Sequence, residues 1–94
     1  MDIKIELKFT KSISRLAGNS YGQEIYNKQV KDLIDFSGKN LIIIPSHIED
    51  IAISFVQGFT YEIFEKISKD MFFEHISIDA NEKIRNKFMK AAFF

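Results

Sequence analysis

LIIIPSHIEDIAISFVQGF, residues Leu41 to Phe59, carries the fold of this chain in its order of apolar and polar residues. Leu41 to Ile44 is apolar on both faces, the pattern of a central strand covered on both sides, and Pro45 ends it. Beyond Ser54 the period changes. Phe55, Phe59, Ile63 and Ile67 fall four apart, with Val56 and Phe64 widening the stripe, which predicts an amphipathic helix. A strand, a polar loop and a helix in that order place exposed chemistry beyond the carboxyl end of the strand, in the segment Pro45 to Ser54. Ser54 followed three residues later by Gln57 has the spacing of a capping box. As the cap of the helix, Ser54 would be worth about 1 kcal/mol.

Working outward, Ile3, Ile5, Leu7 and Phe9 alternate with charged residues, so the N-terminal segment reads as a strand with one wet face. A short second strand, paired antiparallel to it, is expected around Ser12 to Leu16. From Tyr21, Ile25, Val30, Leu33 and Ile34 recur at helical spacing with Tyr26 on the flank. Ser20 and Gln23 supply a capping box, and Gly38 a stop just past Phe36. FEHISID, residues 73–79, reads as a last strand with Phe73, Ile76 and Ile78 as its apolar members. A terminal helix follows, capped at Asp79 with Glu82 three residues on, and burying Ile84, Phe88 and Ala91 or Ala92. The order is β-(β)-α-β-α-β-α. It implies an α/β domain with a mixed, four-stranded sheet and three helices packed against it.

Ninety-four residues leave room for one core, so residues 1–94 read as a single domain. Thirteen basic and thirteen acidic residues cancel, which argues against a domain built to grip phosphate backbones. The absence of cysteine removes disulfides, thiolate metal sites and thiol nucleophiles together. The alternating N-terminus is unlike a signal peptide, and no run reaches the roughly 18 apolar residues of a membrane span. A soluble, cytoplasmic protein is expected. A domain this small is marginally stable alone, which leaves room for an obligate partner or a homodimer.

The residue types needed for catalysis are sparse. His47 and His75 are isolated, with no metal-binding spacing between them. His47 reads as a solvated loop residue and His75 as a strand residue facing water. Gly18 to Gly22, GNSYG, lacks the Gly-Lys-Ser/Thr ending of a nucleotide-binding loop and reads as a turn into a helix. Glu49 and Asp50 complement the positive end of the following helix. Ser54 lacks a G-x-S-x-G elbow, and a hydrolytic role would need His47 within reach as its base. No enzyme activity, metal or cofactor is expected. A phosphate on a serine in this place would be held by backbone N–H groups and the helix dipole, so Ser54 is either a silent cap or a phosphorylated one.

Three stretches, GNSYGQEIYNKQVKDLIDF, NLIIIPSHIEDIAISFVQGFTYEIF and the final strand and helix, together resemble the STAS-like domains of bacteria. These are small relatives of the sulfate-transporter and anti-sigma-factor-antagonist fold. There, a central apolar strand leads through a short acidic loop to a serine that opens an amphipathic helix. Ala52-Ile53-Ser54-Phe55 stand where anti-sigma antagonists have Asp-Ser-Ser-Gly, and the Ser-Phe pair is what the STAS-like subgroup shows. The resemblance implies a binding or regulatory module in signalling, with a histidine-kinase-like ATPase as partner. It makes Ser54 the candidate phosphoacceptor and Ser46, His47, Glu49, Asp50, Phe55 and Gln57 the partner surface. The alternative is a self-associating accessory or mobile-element protein without a phospho-switch, suggested by the apolar tail Ala91-Ala92-Phe93-Phe94.

Overall fold

The computed structural model describes residues 2–93. Strands β1 (Asp2–Glu6), β3 (Lys39–Ile43) and β5 (Ile76–Asp79) form a three-stranded sheet in the order β1-β3-β5, and both pairings are parallel. Ile5, Ile42 and Ile78 stand in register across it, as do Ile3, Asn40 and Ile76. These residues, with Leu7 and Ile44, point to the core. The opposite face carries exposed Lys4, Glu6, Ser77 and Asp79, with Leu41 and Ile43 half-buried.

The central strand is therefore covered on one side only, not on both as its apolar run suggested. The reason lies in the strand order. Parallel crossovers are right-handed, so a sheet that always advances in one direction lays every crossover helix on the same face. The order never reverses, and the fold lacks the switch point that makes a cleft in doubly wound sheets.

The expected four-stranded mixed sheet is not formed. Strand β2 is only Arg15–Leu16, and it pairs in parallel with β4, Asp50–Ile51, as a separate two-stranded sheet. It does not run antiparallel against β1. Pairing with a distant segment satisfies its backbone: Ser14 O accepts the Glu49 N–H at 2.6 Å, and Leu16 O accepts the Ala52 N–H at 2.7 Å.

Four α-helices are described, α1 (Asn19–Ile25), α2 (Ile53–Lys66), α3 (Lys69–His75) and α4 (Glu82–Ala92), against the three expected. The first expected helix is shorter than its periodicity implied. After Ile25 the ladder widens into a π-helical turn, Tyr26–Val30, closed by the Lys31 N–H on Tyr26 O. The change of period buries both Ile25 and Tyr26 and turns Leu33 outward, where it is 55% exposed. Ser20 is not its cap. Gly18 stands there with φ of 99°, a conformation glycine adopts without cost, and Gln23 instead donates to Asn19 Oδ1.

The segment before β5 is also corrected. Phe73 and His75 belong to helix α3 and not to a strand, and His75 Nδ1 lies 2.8 Å from Gly38 O. Asn81, not Asp79, caps α4 by accepting the Ile84 N–H.

The core is aromatic. Phe55 and Phe59 on α2 stack at 6.0 Å, and Phe59 meets Tyr26 and Phe88 edge-on. Phe72 joins Phe88 to the exposed ring of Phe93, whose centroid lies 4.9 Å from that of Phe73. Helices α1 and α2 cross in backbone contact at Gly22 and Gly58. Phe94 of the apolar tail lies outside the described residues.

Candidate functional site

Ser54 lies on the first turn of α2, whose N-cap is Ala52 and not Ser54. The Ser54 hydroxyl turns away from its own helix and accepts the Gly18 N–H at 3.1 Å. The serine thus ties the start of α2 to the start of α1, 36 residues earlier in the chain. Pairing of β2 with β4 makes this possible, because the Leu16–Ala52 hydrogen bond holds the two helix starts side by side. Ser54→Ala removes the acceptor of a half-buried amide and should cost about 1 kcal/mol in urea denaturation.

A hollow of about 520 Å³ opens beside Ser54, lined by Arg15, Ile51, Ala52, Ile53, Ser54, Lys87 and Lys90. Its floor is apolar, and Ile53 is 49% exposed. Its rim is cationic. Lys83, Lys87 and Lys90 recur at helical spacing along α4. Lys87 donates to Asp50 Oδ1 at 2.5 Å, Lys83 reaches it at 4.0 Å, and Arg15 lies 3.6 Å from Oδ2. Cations from β2 and α4 therefore converge on one carboxylate in β4.

The Lys87 hydrogen bond, helped by the Ile51 N–H and the nearby lysine charges, holds the Asp50 carboxyl below its usual range. A carboxyl with a lowered pKa in the folded state stabilises the fold fully above its unfolded pKa of about 4. It loses that contribution as the pH falls through the lower, folded value. Thermal melts should therefore show part of the acid destabilisation below about pH 4 disappearing in Asp50→Asn. Equal acid sensitivity of the two proteins would mean that the ion cluster is unimportant.

The sequence-derived site is only partly assembled. Asp50 and Ser54 meet the hollow directly or through its lining cations, and Glu49 and Ser46 are exposed in the preceding loop. His47 turns elsewhere, with Nε2 at 3.2 Å from Thr10 O. Among the described residues the Ser54 hydroxyl has no histidine or carboxylate hydrogen-bond partner. Phe55 is 1% exposed, because its place in the helical stripe directs the ring into the core against Tyr21 and Phe59. It is not part of a surface, and the exposed apolar position of that turn is Ile53. Gln57 lines a different hollow, between α2 and the end of α4.

Arg15, Ile53 and the lysines of α4 were absent from the sequence-derived set. The spacing of Lys83, Lys87 and Lys90 would have revealed a basic stripe, but nothing local pointed it toward Ser54. No protein-family model matches the chain, and neither do any curated proteins or solved structures. Among the described residues no group of three or more histidine, cysteine or acidic side chains is placed to hold a metal ion, and no helix is long and apolar enough to cross a membrane.

Proposed function

We propose that the protein is a non-enzymatic protein-interaction module of bacterial signalling. It docks its partner through the loop before Ser54 and the first turn of α2. The observation that carries this reading is the pairing of exposed Ile53 with Ser54 at the mouth of the hollow. A half-exposed isoleucine on a rigid helix start, ringed by polar groups, is the anatomy of a docking point. Ser54 is the phosphoacceptor of this reading. Its phosphate would lie among Arg15, Lys87 and Lys90, where the added charge is favourably placed. The partner is a histidine-kinase-like ATPase, as the resemblance to STAS-like domains implies, and the protein works in the cytoplasm.

The experiment pairs the protein with such an ATPase encoded near its gene. With ATP, mass spectrometry should find phosphate on Ser54, and Ser54→Asp should alter partner affinity. Ile53→Asp, at a surface position, should weaken binding about tenfold or more without lowering the melting temperature. Unchanged binding by Ile53→Asp would refute the docking surface. Absence of phosphate, with equal binding by wild type, Ser54→Ala and Ser54→Asp, would remove the switch.

A second reading is favoured by a separate patch. Met71, Phe73 and Phe93 are all at least 39% exposed, and the rings of Phe73 and Phe93 touch. Such a patch suits self-association in an accessory or mobile-element protein. Phe73→Ser combined with Phe93→Ser should then abolish a concentration-dependent dimer in sedimentation. A monomer at every concentration would end that reading.

A further inference from the structure

We infer that the hollow beside Ser54 receives an acidic segment of the partner protein, with an apolar side chain set on Ile53. This rests on the docking reading above and names the chemistry of what docks. Charge complementarity carries it. Arg15, Lys87 and Lys90 line the hollow, Lys83 stands one turn before Lys87, and Asp50 is the carboxylate that Arg15, Lys83 and Lys87 share. Asp50 is already occupied by Lys87 and by the Ile51 N–H. Lys90 has no acidic partner among the described residues, so the rim keeps a surplus of positive charge. That surplus is local, since basic and acidic residues balance over the whole chain.

The floor selects among anions. Partly exposed Ala52 and half-exposed Ile53, backed by the buried Ile51, offer an apolar surface that a free phosphate or a nucleic-acid backbone would leave unused. A peptide alternating acidic and apolar residues uses both rim and floor: carboxylates pair with the cations while an aliphatic side chain covers Ile53. The field of the rim would steer such a segment to the site and set its register, and the covered isoleucine would supply the desolvated anchor.

The test titrates the full chain with a short fluorescent peptide alternating glutamate and leucine. Its lysine-for-glutamate counterpart, inorganic phosphate and a single-stranded oligonucleotide are run beside it. Anisotropy should show saturable binding of the Glu-Leu peptide alone. The affinity should fall as salt rises from 50 to 300 mM, and by about tenfold in Lys90→Glu. Amide NMR shifts of Ile53 and Lys90 should move together during the titration. Lys90 makes no ion pair with Asp50, so this variant leaves the Asp50 cluster intact, and Lys90→Gln gives an intermediate loss. The inference is overturned by a Glu-Leu peptide that does not bind, or by equal affinity for the two peptides. Phosphate or oligonucleotide binding equal to that of the peptide overturns it too, as does an unchanged affinity in Lys90→Glu. If the ATPase still binds in an Ile53-dependent manner under any of these results, the docking surface stands and only its acidic ligand is wrong.

Discussion

Gly58→Ala should lower the unfolding free energy by about 3 kcal/mol, although alanine is the better helix former by about 1 kcal/mol. A Cβ at Gly58 would run into the carbonyl oxygen of Asn19 and stand 2.8 Å from the Asn19 carbonyl carbon and 3.0 Å from its Cα. All three are backbone atoms, so no rotamer change relieves the overlap. Helix α1 would have to move away from α2, and the Ser54–Gly18 hydrogen bond lies at the same junction. Gly22→Ala should behave alike, because its Cβ would collide with Phe55 O and lie 2.7 Å from the Phe59 nitrogen.

A domain of this length has roughly 5–14 kcal/mol of stability in all, so either change removes a large share. The urea midpoint should fall while the slope stays constant, which separates lost stability from a changed denatured state. Gln57→Ala, next to Gly58 but exposed, should leave the midpoint nearly unchanged. A Gly58→Ala protein as stable as wild type would show that the two helices do not cross this closely.

Asn40→Leu should cost about 3 kcal/mol, despite exchanging a polar core residue for an apolar one of similar size. Asn40 is 2% exposed in the middle strand of the sheet. Its Oδ1 accepts the Asp35 N–H at 2.8 Å, and its Nδ2 donates to Asp35 O at 2.8 Å and His75 O at 3.0 Å. One side chain therefore joins the end of α3 to the turn that enters β3. Leucine would strand three backbone groups at once, each worth about 1 kcal/mol net.

Asn40→Asp tests the same geometry by charge. Aspartate still accepts from Asp35, but it aims a buried negative oxygen at two carbonyls. Burial and those dipoles would raise its folded pKa above the unfolded value. Its native state then binds more protons than the unfolded one, so stability should rise as the pH is lowered toward the unfolded pKa. Asn40→Leu should show no such dependence. Hydrogen exchange of the 35–38 turn should accelerate in both variants, and unchanged protection would refute the bridging role.

Sequence periodicity was a reliable guide wherever one local pattern decides burial. The four-residue spacing of Phe55, Phe59 and Ile63 buries each of them, and alternation in β1 places Ile5 and Leu7 inside. Patterning failed where a local signal competes with a distant partner. Ser54 and Gln57 have the spacing of a capping box, yet the hydroxyl finds the Gly18 amide instead. Ile25, Leu33 and Ile34 fit a continuous helix, yet the π-helical turn at Tyr26 breaks it in favour of burying the tyrosine ring against Phe59. Arg15–Leu16 has too few residues to choose a partner by pattern, and β4 chose it.

The amino-acid sequence by itself determined the α/β class, the strand read at Leu41–Ile44 and formed at Lys39–Ile43, the apolar face of α2 and the place of Ser54 at the start of that helix. Each follows from the period of nearby residues, and local sterics and burial enforce such periods within a few turns. Only the tertiary structure decided that the sheet is covered on one face, since this depends on the order in which crossovers add strands. Only it brought Arg15, Ile53 and the lysines of α4 around one hollow, because these residues lie on three elements separated by much of the chain. The cationic rim beside Ser54 is thus a product of the fold, and no single segment encodes it.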